Sequence, residues 1–89
     1  MAVAVRIKCE KMTKADYEKL RQDLEAQGAH QPEGRLSHVA YGDDDTEMLE
    51  VWETQEQFDD HKDKVFNAIQ DAGFSFAGVD VHPVHSHPD

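Results

Sequence analysis

Cysteine and basic side chains are scarce in this chain, and each scarcity excludes something. Cys9 is the only cysteine, so no intrachain disulfide can form. Its apolar neighbours suggest a small buried hydrophobe rather than a reactive thiol. Lys and Arg together number 9 against 19 Asp and Glu, a formal charge of -10. Such a surface repels phosphate backbones and anionic bilayers, so neither nucleic acid nor a membrane is expected as a partner. The longest apolar run, at the N-terminus, is too short for a signal-peptide core or a membrane span, and a cytoplasmic location is expected. Phosphate-loop, dinucleotide-glycine, nucleophile-elbow and zinc-ligand patterns are also missing, so no cofactor and no metal can be argued.

What is present is a soluble-type composition, with 38% hydrophobic and 31% charged residues among 89. That length suits one domain, predicted over 1–84, followed by a mobile tail at 85–89. Val3, Val5, Ile7 and Cys9 alternate with polar or small residues, which predicts a strand over 2–9. Thr13 and Asp16 form a capping-box variant, Tyr17, Leu20 and Leu24 follow at helical spacing, and Gly28 can end the helix. A loop containing Pro32 and Gly34 leads to a strand over 35–41, a Gly42–Asp45 turn and a strand over 46–53. Thr54 and Gln57 repeat the capping pattern before a helix whose stripe carries Phe58, His61, Val65, Phe66, Ile69 and Ala72 up to Gly73. A last strand is predicted over 77–84. The order βαββαβ predicts an α+β, ferredoxin-like fold: a four-stranded antiparallel sheet with both helices on one face.

Alternation assigns the sheet faces. Val3, Val5, Ile7, Leu49, Val51, Val79 and Val81 compose one apolar face, expected beneath the helices. Arg6, Lys8, Met48, Glu50, Trp52, Asp80, His82 and Val84 then fall on the other. The pattern does not decide which way strand 35–41 points His38. A face carrying Met48 and Trp52 invites a second copy of the chain, with Arg6 and Glu50 as the available charge pair.

The segment Glu50-Val51-Trp52-Glu53-Thr54-Gln55-Glu56-Gln57-Phe58, followed by Asp60-His61, resembles the dimeric α+β barrel superfamily. It is most similar there to the small antibiotic-biosynthesis-monooxygenase-like proteins. The resemblance implies a homodimer whose two sheets pack into a barrel, with a pocket between sheet and helices in each subunit. It also implies activities that range from cofactor-independent oxygenation of polycyclic phenols to none, so fold alone does not carry function across.

On this reading His38 and His61 are the candidate catalytic residues, because imidazole exchanges protons near neutral pH. Tyr41, Glu50, Trp52 and Phe58 are the candidate substrate-binding residues, for a small aromatic or polyketide-like ligand. Tyr41 has the opposite strand parity from His38, so a regular strand cannot point both inward. Glu50 carries two readings, a tuned acid or base near His38 and a structural salt bridge to Arg6, and the salt bridge is preferred. His82, His85 and His87 invite a metal reading that the adjacent prolines and the lack of a thiolate disfavour. Asp43, Asp44 and Asp45 lack the ligand spacing of a calcium loop. The leading function is a monooxygenase-like enzyme; the competing one is a non-catalytic, ligand-binding or accessory homodimer.

Overall fold

Alternating apolar residues build the central strand β1 (Val3–Glu10), and two capped segments build helices α1 (Lys14–Ala26) and α2 (Gln55–Asp71). Strands β2 (Arg35–Tyr41), β3 (Glu47–Trp52) and β4 (Ser75–Pro83) complete the order βαββαβ. This computed structural model describes residues 2–86. Met1 lies outside the described residues, as do His87, Pro88 and Asp89 of the proposed tail.

The fold is ferredoxin-like, with an antiparallel sheet in the order β2-β3-β1-β4. Thr13 accepts the Asp16 backbone N–H while Asp16 accepts the Thr13 N–H, which completes the predicted capping box of α1. At α2 the device is half of that. Thr54 accepts the Gln57 N–H, but the Gln57 side chain meets the Thr54 hydroxyl instead of its backbone. The β2–β3 turn is tied to the end of β1: Asp45 accepts the N–H of Lys11, and Thr46 bonds the Met12 carbonyl.

The predicted phase of β3 is reversed. Val3, Val5 and Ile7 of β1 stand opposite Trp52, Glu50 and Met48, and directly paired residues share a face. Trp52, Met48 and Glu50 are therefore buried beneath the helices, whereas Leu49 is 42% exposed on the open face and Val51 is half-buried. Val79 keeps its expected face. It pairs with Ile7 on the helix side, yet it stays exposed on the edge strand β4.

Alternation shows which residues share a face, not which face is covered. What decides here is the partner chemistry of Trp52. Its ring packs edge-on to Phe58 of α2, 5.8 Å between centroids, and only the helix side supplies such neighbours. Arg6 is corrected too. It bonds Asp80 at 2.9 Å and approaches Glu47 on the open face, and it makes no pair with Glu50.

Two bulges interrupt the sheet. One lies between Lys8 and Cys9 in the β1–β4 pairing. The other leaves Leu36 unpaired between Arg35, opposite Trp52, and Ser37, opposite Val51. The second bears directly on the site.

Candidate active site

Between α1, α2 and the β2–β3 side of the sheet lies a cavity of about 310 Å³. Its apolar wall includes Leu20, Leu24, Met48 and Val65. Its chemistry comes from Tyr17, Arg35, His38, Glu50 and His61.

Strand β2 turns His38 toward the helices, opposite Glu50 of β3. His38 Nδ1 lies 2.7 Å from Glu50 Oε2, and His38 Nε2 lies 2.6 Å from the Tyr17 hydroxyl. Arg35 donates to the same Glu50 oxygen at 3.3 Å, and Trp52 Nε1 donates to Oε1 at 3.0 Å. Arg35 and His38 are three apart and would face opposite ways on a regular strand. The bulge at Leu36 brings both to Glu50.

Burial by itself would raise the Glu50 carboxyl. The hydrogen bonds from His38 and Trp52, with the nearby charges, outweigh it and hold Glu50 below its ordinary value of 4.5. Glu50 is thus an ionised acceptor, so His38 Nδ1 must be a donor toward it. In neutral His38 the remaining nitrogen, Nε2, is then the acceptor, and it takes the Tyr17 O–H. Burial raises the Tyr17 phenol above 10.0, so Tyr17 keeps its proton at neutral pH. The result is a directional chain in which Tyr17 donates to His38 and His38 donates to Glu50. It places a base behind a hydroxyl as hydrolytic triads do.

His61 lies on the buried stripe of α2, 5.5 Å from the Trp52 ring by centroids. Its Nε2 is buried without a hydrogen-bond partner among the described residues. Burial lowers its pKa below 6.5; Arg35 and Lys64 push the same way and Glu50 opposes. The unfolded chain therefore takes up this proton first as pH falls. Stability is expected to be fully present above pH 6.5 and to decline as pH drops through that value toward the lowered one. Urea midpoints at about pH 7.5 and about pH 5.5 should differ less in His61→Leu than in the wild type. An unchanged difference would mean that His61 carries none of the slope.

The predicted residues divide three ways. His38, Glu50 and His61 line the cavity. Trp52 and Phe58 are core residues that back it, Trp52 by holding Glu50 and packing against His61. Tyr41 sits on the open face, bonded to Glu47, away from the cavity. Sequence reasoning did not single out Tyr17 or Arg35. Tyr17 opens the apolar stripe of α1 and reads as core, yet its hydroxyl reaches the cavity, as amphipathic rings do. Arg35 carries no local signal, because its role depends on the bulge. Cys9 is buried, and burial pushes its thiol up to about 11, so it is not a thiolate near neutral pH. No group of three or more His, Cys, Asp or Glu able to hold a metal ion occurs among the described residues.

Solved structures share this architecture. They include structures named as antibiotic biosynthesis monooxygenases, and the likeness is one of fold. Rv0793 from Mycobacterium tuberculosis matches all of both chains, with a TM-score of 0.71 and 14% identity. SnoaB from Streptomyces nogalater, a cofactor-independent oxygenase, matches 99% of this chain and 98% of its own, with a TM-score of 0.70 and 16% identity. A proposed antibiotic biosynthesis monooxygenase from Chloroflexus aurantiacus matches 98% and 97%, with a TM-score of 0.66 and 22% identity. No protein-family model matches the chain, and no curated protein matches its sequence. Identity this low carries the fold and leaves the chemistry to be argued from the site. No helix among the described residues is long and apolar enough to cross a membrane.

Proposed function

We propose that this protein is a monooxygenase-like enzyme that needs no tightly bound cofactor and takes a proton from a phenolic or enolic aromatic molecule. The observation that supports it is the Tyr17–His38–Glu50 chain set into the wall of a cavity beside Leu20, Leu24, Met48 and Val65. About 310 Å³ is near the lower end for small-molecule sites and suits a compact ring system. The ligand hydroxyl donates to the Tyr17 oxygen as the Tyr17 proton moves to His38 Nε2. The ligand becomes an enolate, Tyr17 stays neutral, and Glu50 stabilises the new imidazolium. In an oxygenase reaction that enolate meets dioxygen. A ring CH₂ becomes C=O, with one oxygen atom retained and the other leaving as water.

Histidine NMR titration tests this reading. His38 and His61 are expected to shift when a naphthol is added, while His82 and His85 do not. If none of the ring signals responds to any hydroxyaromatic ligand, the enzyme reading gives way to an accessory homodimer.

The same reading makes the protein a homodimer built on the open sheet face. Val39, Tyr41 and Leu49 are each about half exposed there, flanking the Arg6–Asp80 pair. Covering these side chains removes apolar area from water at about 25 cal/mol per Å². Sedimentation at micromolar concentration is expected to give about twice the chain mass. Leu49→Glu should shift it toward monomer without loss of helical signal, because Leu49 is already exposed in the protomer. A wild-type monomer would remove the dimer from the proposal.

A further inference from the structure

Charge is distributed unevenly around the cavity. The chain is strongly acidic, with only three arginines, Arg6, Arg21 and Arg35. Two of them, Arg21 and Arg35, line this one cavity, together with His30, His38 and His61. The only carboxylate in the lining among the described residues is Glu50, and its oxygens are already occupied by His38, Arg35 and Trp52. Arg35 is occupied in turn, with one nitrogen on Glu50 and the other on the His30 carbonyl at 2.6 Å. That bond fixes the segment that carries His30, whose buried Nδ1 has no partner among the described residues. His61 Nε2 is likewise unpartnered, on a side chain only 9% exposed. Buried polar nitrogens are rarely left so, and two on one cavity point to ligand oxygens that complete them.

Arg21 is the cation still open to a ligand. It stands one helical turn after Tyr17 on α1, so the two side chains are neighbours on one helix face. Its guanidinium is half exposed, and Glu18 and Glu25 hold it from along the helix at 3.2 and 3.6 Å. Neither of those carboxylates lines the cavity. With five N–H donors, Arg21 has capacity left for a planar acceptor.

We propose that the cavity selects an aromatic acid, with Arg21 receiving its carboxylate beside the Tyr17 position that receives its hydroxyl. This rests on the reading of Tyr17–His38–Glu50 as a proton-accepting site and adds the substrate class. The i,i+4 spacing sets the two ligand groups close together, near a meta relation on one ring, with the remaining ring on Leu20 and Leu24. His30 Nδ1 supplies a further contact on the carboxylate side. The protein's overall negative field disfavours any anion, so a preference for the acid has to come from these local groups.

The test is calorimetric titration with a naphthol that carries a carboxylate meta to its hydroxyl, and with the matching neutral amide. Wild-type protein is expected to bind the acid about tenfold more tightly than the amide, as one part-exposed charged hydrogen-bonding contact allows. In Arg21→Gln that ratio is expected to fall to about one, and Arg21→Lys should restore part of it. Circular dichroism confirms that each variant is folded. Equal binding of acid and amide by the wild type, or an unchanged ratio in Arg21→Gln, overturns the inference and leaves the proton-accepting site standing. Failure of both probes to bind overturns the inference and the functional reading together.

Discussion

Trp52→Ala is expected to destabilise the protein by about 3–5 kcal/mol, a large part of the roughly 5–15 kcal/mol that holds a small domain together. Trp52 is fully buried and packs against Phe58 and His61. Its removal opens a space between sheet and α2 that the neighbours cannot fill. It also takes the indole N–H from Glu50. Trp52→Phe largely separates the two effects. It keeps an aromatic ring but loses the donor and part of the ring volume, at an expected cost of about 1.5–3 kcal/mol for the hydrogen bond to a charged group with a smaller packing loss added. Urea denaturation followed by far-ultraviolet circular dichroism measures both. A loss under about 1 kcal/mol for Trp52→Ala would contradict the placement of this ring beneath the helices.

The second large effect falls on turnover. With a hydroxynaphthalene as probe and an oxygen electrode as readout, His38→Gln is expected to slow oxygen uptake by about 10²–10⁴-fold, the usual worth of a positioned base. Tyr17→Phe should lose a comparable factor, because the proton passes through its oxygen. Glu50→Gln is expected to lose activity and stability together. It keeps the shape but removes the charge facing Arg35 and His38, and a buried pair broken on one side costs about 3–5 kcal/mol. Equal rates in wild type and His38→Gln would show that His38 is not the base.

Much of this arrangement could be read from residues, and the parts that could not have identifiable causes. Element order followed from two capped helices and four alternating runs, because caps and periodicity are local. His38 and His61 stood out as titratable groups beside apolar neighbours, and both line the cavity. The phase of β3 was not readable. Met48 and Trp52 alternate with Leu49 and Val51, so either set could be the buried one. Glu50 tipped the choice the wrong way, since a carboxylate is ordinarily an outward residue. Its burial is tolerated because four side chains from separate parts of the chain converge on that region: His38, Arg35 and Trp52 as donors, with Tyr17 behind His38. Convergence of that kind is long-range and leaves no trace in spacing. Tyr17 shows the same limit from the other side, as a residue that satisfies a helical stripe with its ring while its hydroxyl does something else.

The extra residue in β2 makes the site sensitive to pairing register as well as to composition. Drawing Leu36, an exposed side chain with no role in the core, into the ladder would return the strand to strict alternation. Keeping His38 opposite Glu50 would then swing Arg35 to the open face and leave the carboxylate without its guanidinium. Keeping Arg35 in place would instead turn the imidazole outward. The first outcome strips Glu50 of its cation and the second breaks the proton chain, and neither alters a residue that belongs to the site. Homologous chains that preserve this chemistry should therefore carry the residue at the position of Leu36 bulged out or lack it altogether, and never pair it.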